Sequence, residues 1–152
     1  YMAKKFTLKS LLHRIQKLTL TTTVSIDGEV KEDYPIAWVK LRGPQDPVYK
    51  SKVQPFLDTY LEDTEEANTS ANFKEGDEVS KELSNILAKI SLNMLVATVA
   101  CSIEDWDQDF FECEPTLENI IEILEDENNN SIYNQIVVKT RDIADFLPIV
   151  EL

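Results

Sequence analysis

Between residues 79 and 101 the apolar side chains Val79, Leu83, Ile86, Leu87, Ile90 and Met94 fall at i, i+4, i+7, i+8, i+11 and i+15. That spacing puts them on one face of an α-helix. Beyond Met94 the pattern gives way to Leu95-Val96-Ala97-Thr98-Val99-Ala100-Cys101, apolar on every side. Such a helix has no face to give to water, so the rest of the fold or another subunit must enclose it. It is the spine around which 152 residues have to be arranged, a length suited to one domain with one modest core. The uncharged apolar stretch 94–103 is ten residues, well short of a bilayer span, and no membrane association is expected.

The rest of the chain supplies partners for that spine. Leu20, Thr22, Val24 and Ile26 alternate with polar residues, and Asp27-Gly28 offers the positive-φ turn of a tight hairpin. The returning strand carries Ile36, Trp38 and Lys40 on one face and Ala37, Val39 and Leu41 on the other, with Trp38 expected in the core. Pro35 has no N–H to donate and belongs at an edge or an irregularity. Ahead of the hairpin, Leu8, Leu11, Leu12, Ile15 and Leu18 fit a short amphipathic helix over about 7–17, or else a strand or an arm. Asp46-Pro47 reads as an N-cap with proline in the first turn, opening a helix that Pro55 should kink or interrupt before Phe56, Leu57, Tyr60 and Leu61 continue it. The acidic stretch 62–77, poor in apolar residues, reads as an exposed loop. Glu114-Pro115-Thr116 introduces a helix with Leu117, Ile120, Ile121 and Leu124, ended by Asn128-Asn129-Asn130. Ser131 caps a last one with Ile132, Ile136, Ile143 and Leu147 on a face, stopped by Pro148. The expected fold class is α+β: one domain over 1–152, with an antiparallel hairpin at about 19–42 packed on a mainly helical body at about 46–148.

Several chemistries lack their residues. The single histidine, His13, leaves little for a His-rich metal site or a Ser-His-Asp triad. Gly28, Gly43 and Gly76 are too far apart for a phosphate-cradling loop or a dinucleotide fingerprint. Cys101 and Cys113 match neither a redox CxxC nor a zinc pattern, and fit a reducing compartment. Lys9, His13, Arg14 and Lys17 interrupt any apolar region near the start, so no secretory signal is expected. Asp105, Asp107 and Asp109 imitate the first ligands of a calcium loop, but Phe110 stands at its glycine position and Thr116 at its bidentate glutamate. This acidic cluster reads as a solvated loop after the long helix, and no catalytic site, cofactor or metal is expected.

Charge is unevenly spread. Residues 1–54 hold ten Lys/Arg against five Asp/Glu, a net of +5, and residues 55–152 hold five against twenty-three, a net of −18, which together give the chain's −13. The acidic balance argues against binding a nucleic-acid backbone. The polarity allows the basic end of one copy to meet the acidic end of another, unless both ends are simply solvated surface. Trp106, Phe110 and Phe111 either anchor a partner or close the core.

From Val96 onward the order of features resembles the tail assembly chaperones of long-tailed (siphovirus-type) bacteriophages. The resemblance rests on the apolar helix ending in Trp106-Asp107 and the acidic aromatic segment to Glu114-Pro115. It continues with a helix bearing Glu118-Asn119 and Leu124, then Tyr133-Asn134-Gln135-Ile136 and Asp145-Phe146-Leu147. The opening Met2-Ala3-Lys4-Lys5-Phe6-Thr7-Leu8 and the hairpin ahead of a helical body are also similar. The resemblance implies a non-enzymatic factor in the cytoplasm of the infected bacterial host, absent from the mature virion. It implies binding to the tape measure protein and recruitment of tail tube subunits, with self-association into oligomers. The contact residues expected for that role are Leu87, Ile90, Met94, Trp106, Phe110 and Phe111. A competing reading of the acidity is an inhibitor or DNA mimic that occupies a nucleic-acid-binding enzyme.

Overall fold

A computed structural model describes residues 14–149. An N-terminal antiparallel hairpin precedes a mainly α-helical body, an α+β arrangement. Strand β1 (Gln16–Ile26) pairs with β2 (Glu29–Leu41) through a turn in which Asp27 and Gly28 both have positive φ, 52° and 77°. That double left-handed geometry matches the twist of the flanking strands. A third strand, β3 (Ile103–Trp106), pairs with β2 at Val39, Lys40 and Leu41, making β2 the centre of the sheet.

The ladder is irregular where Pro35 sits: Leu20 faces Ala37, and the next residue, Thr21, faces Pro35. Thr21 turns both backbone groups to the Gln135 side chain instead, donating its N–H to Oε1 at 2.9 Å and accepting from Nε2 at 3.0 Å. Nothing there asks Pro35 for a donor. Leu20, Ala37, Val39 and Leu41 are buried on the inner face of the sheet. Trp38 is not among them: it lies half-buried on the opposite face, with the ammonium groups of Lys17 and Lys40 at 5.3 and 5.7 Å from its ring centre. The alternation that buries Val39 necessarily turns Trp38 outward.

Helix α1 (Pro47–Ser70) starts where Asp46 accepts the Val48 N–H at 2.8 Å. It runs on past Pro55, which neither ends nor divides it. A proline inside a helix costs about 3 kcal/mol. The burial of Val53 and the half-burial of Phe56 and Tyr60 offset that, and Ser51, whose carbonyl loses its donor, is exposed to water. The acidic stretch expected as a loop over 62–77 is helical up to Ser70, and only 71–80 connect to the next helix. Helix α2 (Lys81–Ser102) begins two residues after Val79, capped by Ser80, whose hydroxyl accepts the Leu83 N–H at 3.1 Å.

After β3 come the short α3 (Gln108–Phe111), α4 (Leu117–Glu125) capped by Thr116, and α5 (Asn130–Thr140). The 104–109 cluster is therefore strand and helix start, not a solvated loop. Helix α4 stops at Glu125, before the asparagines, because Asp126 turns back to accept the Asn128 N–H and opens a 3-10 turn over Glu127–Asn129. Ser131 lies inside α5 and accepts from Gln135 instead of capping it. Helix α5 also ends well before Pro148. Ile143–Phe146 form a 3-10 turn, whose tighter period buries Phe146 and leaves Ile143 and Leu147 exposed. One cluster unites the sheet's inner face with Val96, Ala100, Ile103, Trp106, Ile120, Leu124, Ile132, Ile136 and Phe146. Of the expected 7–17 helix, residues 7–13 lie outside the described residues, as does His13, and Gln16 and Lys17 belong to β1.

Candidate functional site

Helices α1 and α2 pack side by side, and the residues that meet along the seam decide its character. On α1 the inward positions are Val53, Phe56, Tyr60, Thr64, Ala67 and Asn68, so the stripe begins apolar and turns polar toward the connecting loop. Thr64 Oγ1 and Asn68 Oδ1 are enclosed there with no hydrogen-bond partner among the described residues. On α2 the facing stripe is mainly apolar, with Glu82 and Asn93 its polar members. The mismatch leaves a groove of about 440 Å3 with Leu83, Ile86 and Ile90 in its floor and Asp63, Glu66 and Glu82 at its rim. Asp63 and Ile90 also line a second hollow of about 230 Å3, where Phe56, Tyr60, Met94 and Ile121 supply apolar surface and Glu125 closes the far end. The two form one furrow across α1, α2 and α4. Its charged lining residues are all acidic.

An apolar floor with an acidic rim fits the apolar face of an amphipathic helix flanked by lysines or arginines. Ile86, 45% exposed, is the large apolar side chain that the furrow leaves most open.

The residues expected to contact a partner separate into two groups. Ile90 and Met94 line the furrow, and Leu87, also half-buried, lies on the same stripe of α2. The three aromatics contribute nothing to its lining and instead form a ladder from core to surface. Trp106 is 1% exposed, donates its indole N–H to the Cys113 carbonyl at 2.9 Å, and offers no surface to a partner. Phe111 stacks on it with centroids 4.1 Å apart, and Phe110, 42% exposed, meets Phe111 edge-on at 5.0 Å. Asp105 lies in β3 while Asp107 and Asp109 sit at the start of α3. Among the described residues no three His, Cys, Asp or Glu side chains gather to hold a metal ion.

Periodicity overlooked the second free face of α2. Leu92 and Leu95, 58% and 54% exposed, stand three residues apart on the side away from the furrow. Helix α2 is long and apolar enough to cross a membrane by length and composition, yet only 22% of its most apolar window is buried. Of the stretch 95–101, Val96, Ala97, Ala100 and Cys101 are enclosed, and Leu95 is the residue left bare by the described residues. No protein-family model, no curated protein and no solved structure matches this chain.

Proposed function

We propose that the protein is an assembly chaperone that shields an apolar, basic-flanked helical segment of a client, with the furrow across α1, α2 and α4 as the contact. The observation that carries this reading is the furrow itself: apolar below, acidic at its edge, and built on a helix that its own fold leaves partly bare. The resemblance to phage tail assembly chaperones names the client as the tape measure protein, which several copies would cover in the host cytoplasm while tail tube subunits are recruited. A long client with bare apolar helical faces aggregates unless covered. The net charge of −13 keeps such a covered assembly in solution.

Co-expression with the tape measure protein of the same phage, followed by pull-down, tests the proposal. Wild-type protein should retain the client in a salt-sensitive manner. Ile86→Asp and the rim reversal Glu66→Lys/Glu82→Lys should each release it, while Val138→Asp, a change at a more exposed apolar residue on α5 outside the furrow, should not. Retention unaffected by the furrow variants, or no retention at low salt, overturns the reading.

A further inference from the structure

In a chain with 28 Asp and Glu residues, a cleft with two arginines in its lining has no acidic side chain there. It measures about 390 Å3 and opens between α2, α5 and the first turn of α1. Arg42 and Arg141 stand at its polar side, Leu95 and Val99 form its apolar wall, and Tyr49 and Tyr133 complete it. Arg42 is fixed from two directions: its backbone N–H donates to the Ser102 carbonyl at 2.6 Å and its guanidinium to the Ile103 carbonyl at 3.2 Å. A guanidinium has five N–H donors, so most of its capacity is unspent. Neither arginine is ion-paired: among the described residues the one such pair is Lys139 with Asp145. Burial pushes both tyrosine hydroxyls above their ordinary range, so they stay neutral donors. The cleft is therefore built for an anionic group that carries an apolar or aromatic body.

A segment of that description lies on the same chain. In the turn at 107–112, Phe110 projects beside Asp109 and Glu112, and the backbone is held rigid. Phe110 and Phe111 donate to the Asp107 carbonyl at 3.1 and 3.0 Å, and Glu112, left-handed at φ 60°, donates to Gln108 at 2.8 Å. The Phe110 ring is braced on Phe111, itself stacked on buried Trp106. Within one copy the turn contributes no residue to the lining of the cleft.

We propose that this cleft receives the 107–112 turn of a second copy, with Phe110 lying against Leu95 and Val99 and the flanking carboxylates meeting Arg42 and Arg141. The contact joins different surfaces on the two copies, so it propagates head to tail and covers the bare Leu95 side of α2. It uses none of the furrow. Client capture and self-association are thus separable measurements, and the loss of one leaves the other standing.

Sedimentation velocity over a concentration series at low and high salt tests this. The wild-type average mass should climb with concentration and fall with salt. Arg141→Glu, which spoils the cleft, and Phe110→Ser or Asp109→Lys, which spoil the turn, should each weaken association at least about ten-fold, the scale of a hot-spot truncation. All three side chains are exposed, and circular dichroism should show each variant folded. Mixing Arg141→Glu with Phe110→Ser should yield a two-copy species and nothing larger, because the pair retains one intact turn and one intact cleft. A wild-type protein that stays single at every concentration, a variant that associates as wild type does, or a mixture that stays single overturns the proposal.

Discussion

At Gly43 the absence of a side chain is a packing requirement. A Cβ built there would stand 2.6 Å from Phe146 Cγ and closer still to its Cβ, and Phe146 is wholly buried. Gly43→Ala should therefore destabilise the fold by about 1–3 kcal/mol through overpacking. Denaturant midpoints would measure it. An unshifted midpoint would contradict this account. Close by, Lys139 donates to Asp145 at 2.6 Å and holds its carboxyl below the ordinary aspartate value of 3.8. A carboxylate whose pKa is lower folded than unfolded adds stability above its unfolded pKa and loses it as pH falls through the folded one. The gap in melting temperature between wild type and Lys139→Met should accordingly close as pH drops below about 4. A gap independent of pH would sink the assignment.

Among the elements, α1 is divided in its anchoring. Val53, Phe56 and Tyr60 hold its first half through apolar contact, whereas its second half faces inward with Thr64, Ala67 and Asn68, two of them with unsatisfied oxygens. Segments with few buried apolar contacts open most readily. In native-state hydrogen exchange, amides of 62–70 should exchange before those of 51–60, and uniform protection along α1 would contradict the division. The same polar stripe explains why the sequence reads there as loop: helical periodicity is present, but its inward residues are not hydrophobic. The hairpin was legible because alternation and Asp27-Gly28 agree with each other. Helix α4 was legible because Thr116 and a narrow apolar stripe coincide. The end of α5 was not, since a change from 3.6 to three residues per turn moves burial from Ile143 and Leu147 to Phe146 without altering composition. Of the residues expected to meet a partner, the positions of Ile90 and Met94 on the furrow side of α2 follow from spacing, but Trp106 could not be told from Phe110, because adjacency in sequence says nothing of which ring faces inward.

For the whole molecule, folding sorts charge otherwise than the sequence does, since Arg141 belongs to the acidic part of the chain. The furrow draws its acidic rim from α1, α2 and α4, while the cleft draws one arginine from the end of the sheet and the other from the end of α5. Neither Arg42 nor Arg141 stands out in sequence, and only folding sets them across one opening. The fold also ties the entry to β1 to the 3-10 turn after α5: the Arg14 N–H donates to the Phe146 carbonyl at 3.0 Å, Arg14 Nε to the Leu147 carbonyl at 2.7 Å, and Gln16 to the Asp145 carbonyl at 2.6 Å. A tag or fused module grafted behind residue 149 thus emerges beside the start of β1. A short peptide bridge from residue 149 to residue 14, in place of the residues outside those bounds, would close the backbone into a ring, leaving 71–80 as a natural place to open it again.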